Sequence, residues 1–329
     1  MVKRTPYMPF YLPFDIKPYP KKISRHHLIL LMGSCFSGNF TRYFQRYKFG
    51  SLGNPFGKIF NPVSIANNLM DAMTMDCTMD SFEKDGIYYC WQAHSYISST
   101  SHQLLKQTYR ETIIKTHDFL KTTDWLFITF GSAKVYYLKE SGLLVANCHK
   151  HPGSNFTEQT LSVHQITKKY NELLNSLFDF NPKLKIVFTI SPVRYAKDGL
   201  VGNNISKSIL NQAVHELIDG ERSYYFPAYE IMIDELRDYR FYNVDRVHPS
   251  EEAIDYIWNK LKDAFFDSKT MDFTDNWDLL LQRINHNTMH KSTEMHQKFV
   301  NSTIALLKKY ENEINIKPEL DVLKSQLIP

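Results

Sequence analysis

The stretch HLILLMGSCFSGNF, residues 27–40, decides the fold. Its first part, 27–32, is an unbroken apolar run with the length of a buried strand rather than a helix. The run ends in Gly33, Ser34 and Cys35, small residues suited to a tight turn. Beyond the turn, Phe40, Tyr43, Phe44 and Tyr47 recur at spacings of three and four, which predicts a helix over 39–47. Strand, small-residue turn and helix together open an α/β unit. Working outward, WLFITF (125–130) and KIVFTI (185–190) repeat the buried-strand pattern, and a short strand falls at 224–226. A further short strand fits 48–52. Helical spacing fills 65–73, 101–121, 162–179, 204–219, 228–237 and 250–266. Short apolar strands alternating with helices predict an α/β fold: a mainly parallel sheet covered on both faces.

Two segments break this rhythm. Residues 82–99 read as a β-hairpin turning at Lys84-Asp85-Gly86. Residues 135–138 and 143–147 form a second hairpin around Glu140-Ser141-Gly142. Prolines at 6, 9, 13, 18 and 20 exclude helix from an extended lead-in over 1–24. After a core domain over 25–268, residues 269–329 carry helical patterns at 276–290 and 294–313 and no strand signal. They read as a helical C-terminal extension.

Composition is that of an ordinary globular chain: 43% hydrophobic and 22% charged, with a net charge of +4 spread along the sequence. No basic block suits nucleic acid or a membrane surface. The four cysteines, Cys35, Cys77, Cys90 and Cys148, form no CxxC pair, so zinc-ribbon and thioredoxin readings fail. The first twenty residues lack the apolar core of a secretory signal, and no stretch there spans a bilayer. A cytoplasmic protein with free thiols is expected, with no metal, cofactor, nucleic acid or membrane partner. Homo-oligomerisation stays open.

Ser34 follows a strand and precedes a helix. It therefore lies at the carboxyl edge where open α/β sheets bind ligands, beside the unpaired N–H groups of a helix start. Position alone favours a helix N-cap, a place serine commonly takes. A serine becomes a nucleophile when a base takes its proton, and a histidine serves best when a carboxylate fixes its tautomer. Asp245-Arg246-Val247-His248-Pro249 offers that pair at a spacing a turn can close. Gly57, closing Gly53-Asn54-Pro55-Phe56-Gly57, and Gly131-Ser132 after WLFITF are turns able to present further donors. Each is also an ordinary strand-end turn. The conjunction at strand ends and late loops is what points to acyl transfer.

The segments LMGSCFSGNF (31–40), NPFGKIFNPVSIANNL (54–69), FGSAKVYYLKESGLLVANCHK (130–150), SPVRYAKDGLVGNNISKS (191–208) and YYFPAYEIMIDELRDYRFYNVDRVHPSEEAIDYIW (224–258) together resemble the GSCFA family of the SGNH, or GDSL-like, hydrolase superfamily. The name-giving motif ends in Ala, where this chain has Ser37. The resemblance implies a flavodoxin-like three-layer α/β/α sandwich and serine esterase chemistry. It implies Ser34 as nucleophile, His248 as base and Asp245 as its orienter, with the N–H groups of Ser34 and Gly57 as oxyanion donors. One departure stands out. The superfamily commonly places a side-chain donor, Asn, where this chain has Ala133. Losing one oxyanion donor costs about 2.7–4 kcal/mol in a transition state. Ser132, Asn61 and Asn147 are the candidate replacements.

Cys35 reads as a buried small residue rather than a thiol nucleophile. Cys148-His149-Lys150-His151 lacks a second ligand pair for zinc, and His149 reads as a loop residue near the cleft. His94, on the first hairpin, is a candidate pocket residue. Arg194 either binds an anionic group of the substrate or braces a loop, and Asn203 and Asn204 are weaker candidates of the same kind. The expected activity is esterase or deacylase action on a small acyl ester, the substrate being a small molecule or a carbohydrate ester, through acyl-Ser34. An O-acyltransferase and a non-catalytic binding protein on a degenerate hydrolase fold are the rival readings.

Overall fold

The computed structural model describes residues 12–286, 288, 289 and 292–327. The lead-in prolines at 6 and 9 lie outside the described residues. Five strands build the central sheet: β1 (Ile29–Gly33), β2 (Ser51–Gly53), β6 (Trp125–Phe130), β10 (Lys185–Ile190) and β11 (Ser223–Phe226). Every pairing is parallel, in the order β2-β1-β6-β10-β11. Taken along the chain, this is the 2-1-3-4-5 order of flavodoxin-like folds, whose winding reverses between the first and third strands. The crevice of the switch point therefore opens at the carboxyl ends of β1 and β6.

Alternation along the strands loads both faces. Leu30, Met32, Leu126, Ile128, Ile186 and Phe188 enter one core, with α2 (Pro62–Thr74), α3 (His102–Thr122), α4 (Val163–Phe180) and α5 (Gly199–Leu217) against it. Ile29, Leu31, Trp125, Phe127 and Val187 enter the other, beneath α1 (Cys35–Arg46) and α7 (Glu251–Phe265). The 3–4 spacing of aromatics on α1 has a direct purpose: Tyr43 and Tyr47 stack on Trp258 of α7, at 4.9 and 5.9 Å between centroids, and Phe44 meets it edge-on at 5.0 Å. The helices start at the polar residues that satisfy their first N–H groups. Asn61 caps α2, Ser162 forms a capping box with Gln165 on α4, and Ser250 caps α7.

Both hairpins exist, and each gains a third strand. β3 (Ser81–Lys84) and β4 (Ile87–Cys90) are joined by β5 (Ser98–Ser99); β7 (Lys134–Leu138) and β8 (Leu144–Val145) are joined by β9 (Phe156–Thr160). The helix predicted over 228–237 is present over 228–235, as α6 (Ala228–Glu230) continued by a π-helix over Ile231–Glu235. The C-terminal helices are α8 (Ser268–Ile284), α9 (Glu294–Leu307) and α10 (Lys317–Lys324). They share the α1/α7 core through Trp277, Leu280, Val300 and Leu323, and Trp277 Nε1 donates to the Arg46 carbonyl at 2.8 Å. The described part of the lead-in lies along the end of α7. Tyr19 and Ile23 donate backbone N–H groups to the carbonyls of Ala264 and Phe265. Among the described residues no helix is long and apolar enough to cross a membrane, and all four cysteines are free.

Candidate active site

Ser34 sits where β1 ends and α1 begins, 1% exposed. Gly33 makes that position accessible to the neighbouring strand. Its φ is +138°, and a Cβ there would lie 2.1 Å from the Thr129 carbonyl oxygen. Only glycine lets β1 finish so close to β6. On the far side, a Cβ on Gly131 would lie 3.1 Å from Ser34 Cβ, so Gly131 is the wall against which the serine packs. The segment between Gly57 and Asn61 threads this space: Ile59 N–H donates to the Gly33 carbonyl, and Gly131 and Ser132 N–H groups both donate to the Phe60 carbonyl.

The Asp245–His248 pair is built by its turn. Asp245 Oδ1 accepts the backbone N–H groups of Val247 (2.9 Å) and His248 (3.0 Å), and Oδ2 lies 2.7 Å from His248 Nδ1. Arg246, with φ at +58°, allows the tight reversal. The His248 and Val247 N–H groups, then His248 Nδ1–H, hold the Asp245 carboxyl down at a pKa of about 2. With Nδ1 donating to Asp245, the neutral ring presents Nε2 as the acceptor.

Arg194 fixes this turn to the sheet. Its N–H donates to the Val247 carbonyl at 3.2 Å and its Nη1 to the Arg246 carbonyl at 3.0 Å. Its guanidinium packs over Tyr239 and Tyr242, at 4.9 and 4.1 Å. These bonds go to backbone, so the brace is what the structure shows for Arg194. A small cavity of about 180 Å³ lies between Arg194, Tyr195, Asn203, Tyr239 and Asp245. Thus the ends of β1, β6 and β10 and the 245–248 turn all meet at one edge of the sheet. No hydrogen bond joins Ser34 to His248: Ser34 Oγ accepts the Phe36 N–H at 3.4 Å, as the cap of α1.

Several donors expected for an oxyanion are engaged elsewhere. The Ser34 N–H donates across to Thr129 O (3.1 Å), continuing the β1–β6 pairing, and the Gly57 N–H donates to Asn54 O (2.8 Å), closing a local turn. Asn61 spends its side chain on Ser64, accepting its N–H at 2.8 Å and donating to its hydroxyl at 3.0 Å. Asn147 differs: its Oδ1 accepts the His149 N–H at 2.7 Å, a bond that uses its carbonyl and not its donor NH2. Ser132 Oγ accepts the Lys134 N–H at 3.1 Å and faces Ser206 Oγ. Ala133 is fully buried, and its N–H donates to Ser206 Oγ at 2.7 Å. The Cys35 N–H opens α1, in the first turn, where the helix itself supplies no backbone acceptor.

His94 and His149 part company. His94 packs against Gly57, where a Cβ would lie 2.4 Å from His94 Cβ, and its ring pairs with the exposed Tyr96. Burial, with the nearby Lys58 charge, pulls its pKa down. His149, read from sequence as a loop residue near the cleft and so a candidate substrate contact, is 5% exposed and internal. Its Nε2–H donates to the Cys90 carbonyl (3.0 Å), and its Nδ1 accepts the Ser95 hydroxyl (2.9 Å). Burial brings its pKa down to about 4. It is a pin between the two inserted sheets. Lys58 was not singled out by sequence, yet its charge acts on both Cys35 and His94. Its place directly after Gly57 was the available signal.

The GSCFA family profile matches residues 28–261. This chain belongs to the GSCFA family. A second profile, the C-terminal domain of GSCFA domain proteins, matches residues 277–329 of this GSCFA chain. No curated protein matches it. Among solved structures it is similar to a Streptococcus pneumonia protein provisionally assigned as a platelet activating factor (12% identity, 72% of this chain and 83% of that chain, TM-score 0.41). It is also similar to family 3 carbohydrate esterases from Clostridium thermocellum (12%, 78% and 98%, TM-score 0.36) and Talaromyces cellulolyticus (8%, 76% and 99%, TM-score 0.35).

Proposed function

We propose that this GSCFA chain is a serine esterase or deacylase, with Ser34 as nucleophile, His248 as base and Asp245 as its orienter. The carrying observation is the 2.7 Å Asp245–His248 contact, which leaves Nε2 as the acceptor on a turn that Arg194 fastens to the loop after β10. In the reaction, Nε2 takes the Ser34 hydroxyl proton as Oγ bonds to the ester carbonyl carbon. The tetrahedral adduct then expels the alcohol, which leaves with that proton. Water, deprotonated by Nε2, attacks the acyl-serine and releases the acid and Ser34. The cap bond of Ser34 is compatible with this, since its oxygen accepts from Phe36 while its own proton stays available to donate. The Cys35 N–H and the dipole at the start of α1 supply positive potential for the oxyanion.

A fluorophosphonate probe tests the reading without a known substrate. Wild-type protein is expected to take one label, at Ser34, and Ser34→Ala none. Wild type that remains unlabelled, and cleaves short-chain p-nitrophenyl esters no faster than Ser34→Ala, would overturn it.

A further inference from the structure

Lys207 lies on α5, 1% exposed. Among the described residues no carboxylate pairs with it. Its Nζ donates to the carbonyl oxygens of Gly131 at 2.8 Å and Ser191 at 2.7 Å, and stands 5.7 Å from the centre of the Tyr229 ring. Burying an ammonium with only neutral acceptors is expensive, and burial brings this lysine's pKa down to about 7. A methionine or leucine would fill the same space without a charge but would leave the two carbonyls without this donor, so where those carbonyls sit matters.

Gly131 is the residue packed against Ser34 Cβ. Ser191 opens the loop whose Arg194 grips the carbonyls of Arg246 and Val247, and so carries the Asp245–His248 turn. A single Nζ therefore bridges the backbone behind the serine and the backbone that suspends the histidine. The residue before it helps: Ser206 Oγ takes the Ala133 N–H, anchoring the same strand end two residues on.

We propose that Lys207 is a positioning residue for the reaction, its Nζ donors setting the distance between Ser34 and His248 through the carbonyls of Gly131 and Ser191. The proposal rests on the serine esterase reading. Lys207→Met keeps the stem and removes the donors. A displacement of about 1 Å at a reacting pair costs on the order of 100-fold, so kcat is expected to fall about 30- to 100-fold with KM changed less than about 3-fold. The rate of fluorophosphonate labelling at Ser34 falls in proportion. Because Lys207 acts through the loop that Arg194 holds, Lys207→Met and Arg194→Met are expected to combine to much less than the product of their separate losses. A folded Lys207→Met protein with kcat and labelling rate within about 2-fold of wild type, or losses that simply multiply, overturns the role. Should the methionine variant fail to fold, Lys207→Gln, which retains an N–H donor, takes its place, with a kcat loss of at least about 5-fold expected. If neither variant folds, Lys207 serves the fold alone and the positioning role is discarded. Wild type that takes no label at Ser34 defeats the esterase reading instead, and is distinguished by that.

Discussion

Replacing His149 with glutamine isolates what a buried histidine does to acid stability. The ring is 5% exposed, gives Nε2–H to Cys90 O and receives the Ser95 hydroxyl on Nδ1. A proton on Nδ1 would force the Ser95 hydroxyl to turn and accept, and would place a charge inside the packed aromatic cluster of Phe82, Tyr89 and Trp91. Burial accordingly brings the pKa down to about 4. The unfolded chain binds this proton near pH 6.5, the folded chain only near 4, so between those values the unfolded state carries the extra proton and stability rises with pH. The contribution is complete above about pH 6.5 and is lost as pH falls toward 4, amounting to about 3 kcal/mol over the whole window. Between pH 7 and pH 5 the loss is about 2 kcal/mol. Glutamine offers an N–H to Cys90 and a carbonyl to Ser95 without titrating. Urea unfolding of wild type and His149→Gln at pH 7, 6 and 5 reads the difference. The wild type is expected to lose about 2 kcal/mol more than the variant over that interval, whatever their offset at pH 7. Parallel curves, within about 0.5 kcal/mol at all three pH values, would show that His149 titrates normally and that its buried role is misread.

Two further outcomes follow from the site. Asp245→Asn is expected to leave fold and His248 in place but lower kcat by on the order of 10⁴-fold, because an amide no longer holds the ring in its Nε2-accepting form. Held down to about pH 2 by the His248 and Val247 N–H groups, Asp245 is ionised across any working range. Its stabilisation stands above about pH 4 and fades only as pH drops through 2, so an acid limb in activity near neutrality that shifts or vanishes with this carboxylate's titration would count against the assignment. Gly33→Ala places a methyl 2.1 Å from the Thr129 carbonyl at a φ of +138°. The mutant should lose about 4 kcal/mol or more in urea unfolding, along with Ser34 labelling; a loss below about 1 kcal/mol would mean β1 and β6 can part without consequence.

The apolar runs at 27–32, 125–130 and 185–190 announced the sheet because fully buried parallel strands need apolar residues on both faces. β9 has only Phe156 buried, and its polar FTEQT is held by backbone pairing to β7, a bond that side-chain patterning does not reveal. Gly38 and the small residues after Ser34 hid the first turn of α1, so the helix starts at Cys35 rather than 39. The segment Ile231–Glu235 is helical as its apolar spacing indicates, but its π rather than α hydrogen bonding leaves no mark in that spacing. At the site, residue types alone suggested Ser34, Asp245 and His248 as nucleophile, orienter and base, and the structure pairs the last two. Whether a donor is free is a geometric matter. The N–H groups of Ser34 and Gly57 are spent on Thr129 and Asn54, and nothing in the letters shows it. His149 misled for a similar reason: a histidine beside Cys148 and Lys150 looks like a surface loop residue until its burial is known.

The two inserted sheets lie some fifty residues apart in sequence, yet His149 ties the second to Ser95 and Cys90 of the first, and Ala146 N–H reaches the Trp91 carbonyl. They are mechanically one piece. Anyone transplanting the rim of this crevice onto another scaffold, or trimming it, has to move both insertions together. A chimaera that exchanges either alone would leave its polar pin and half of an aromatic stack facing a stranger.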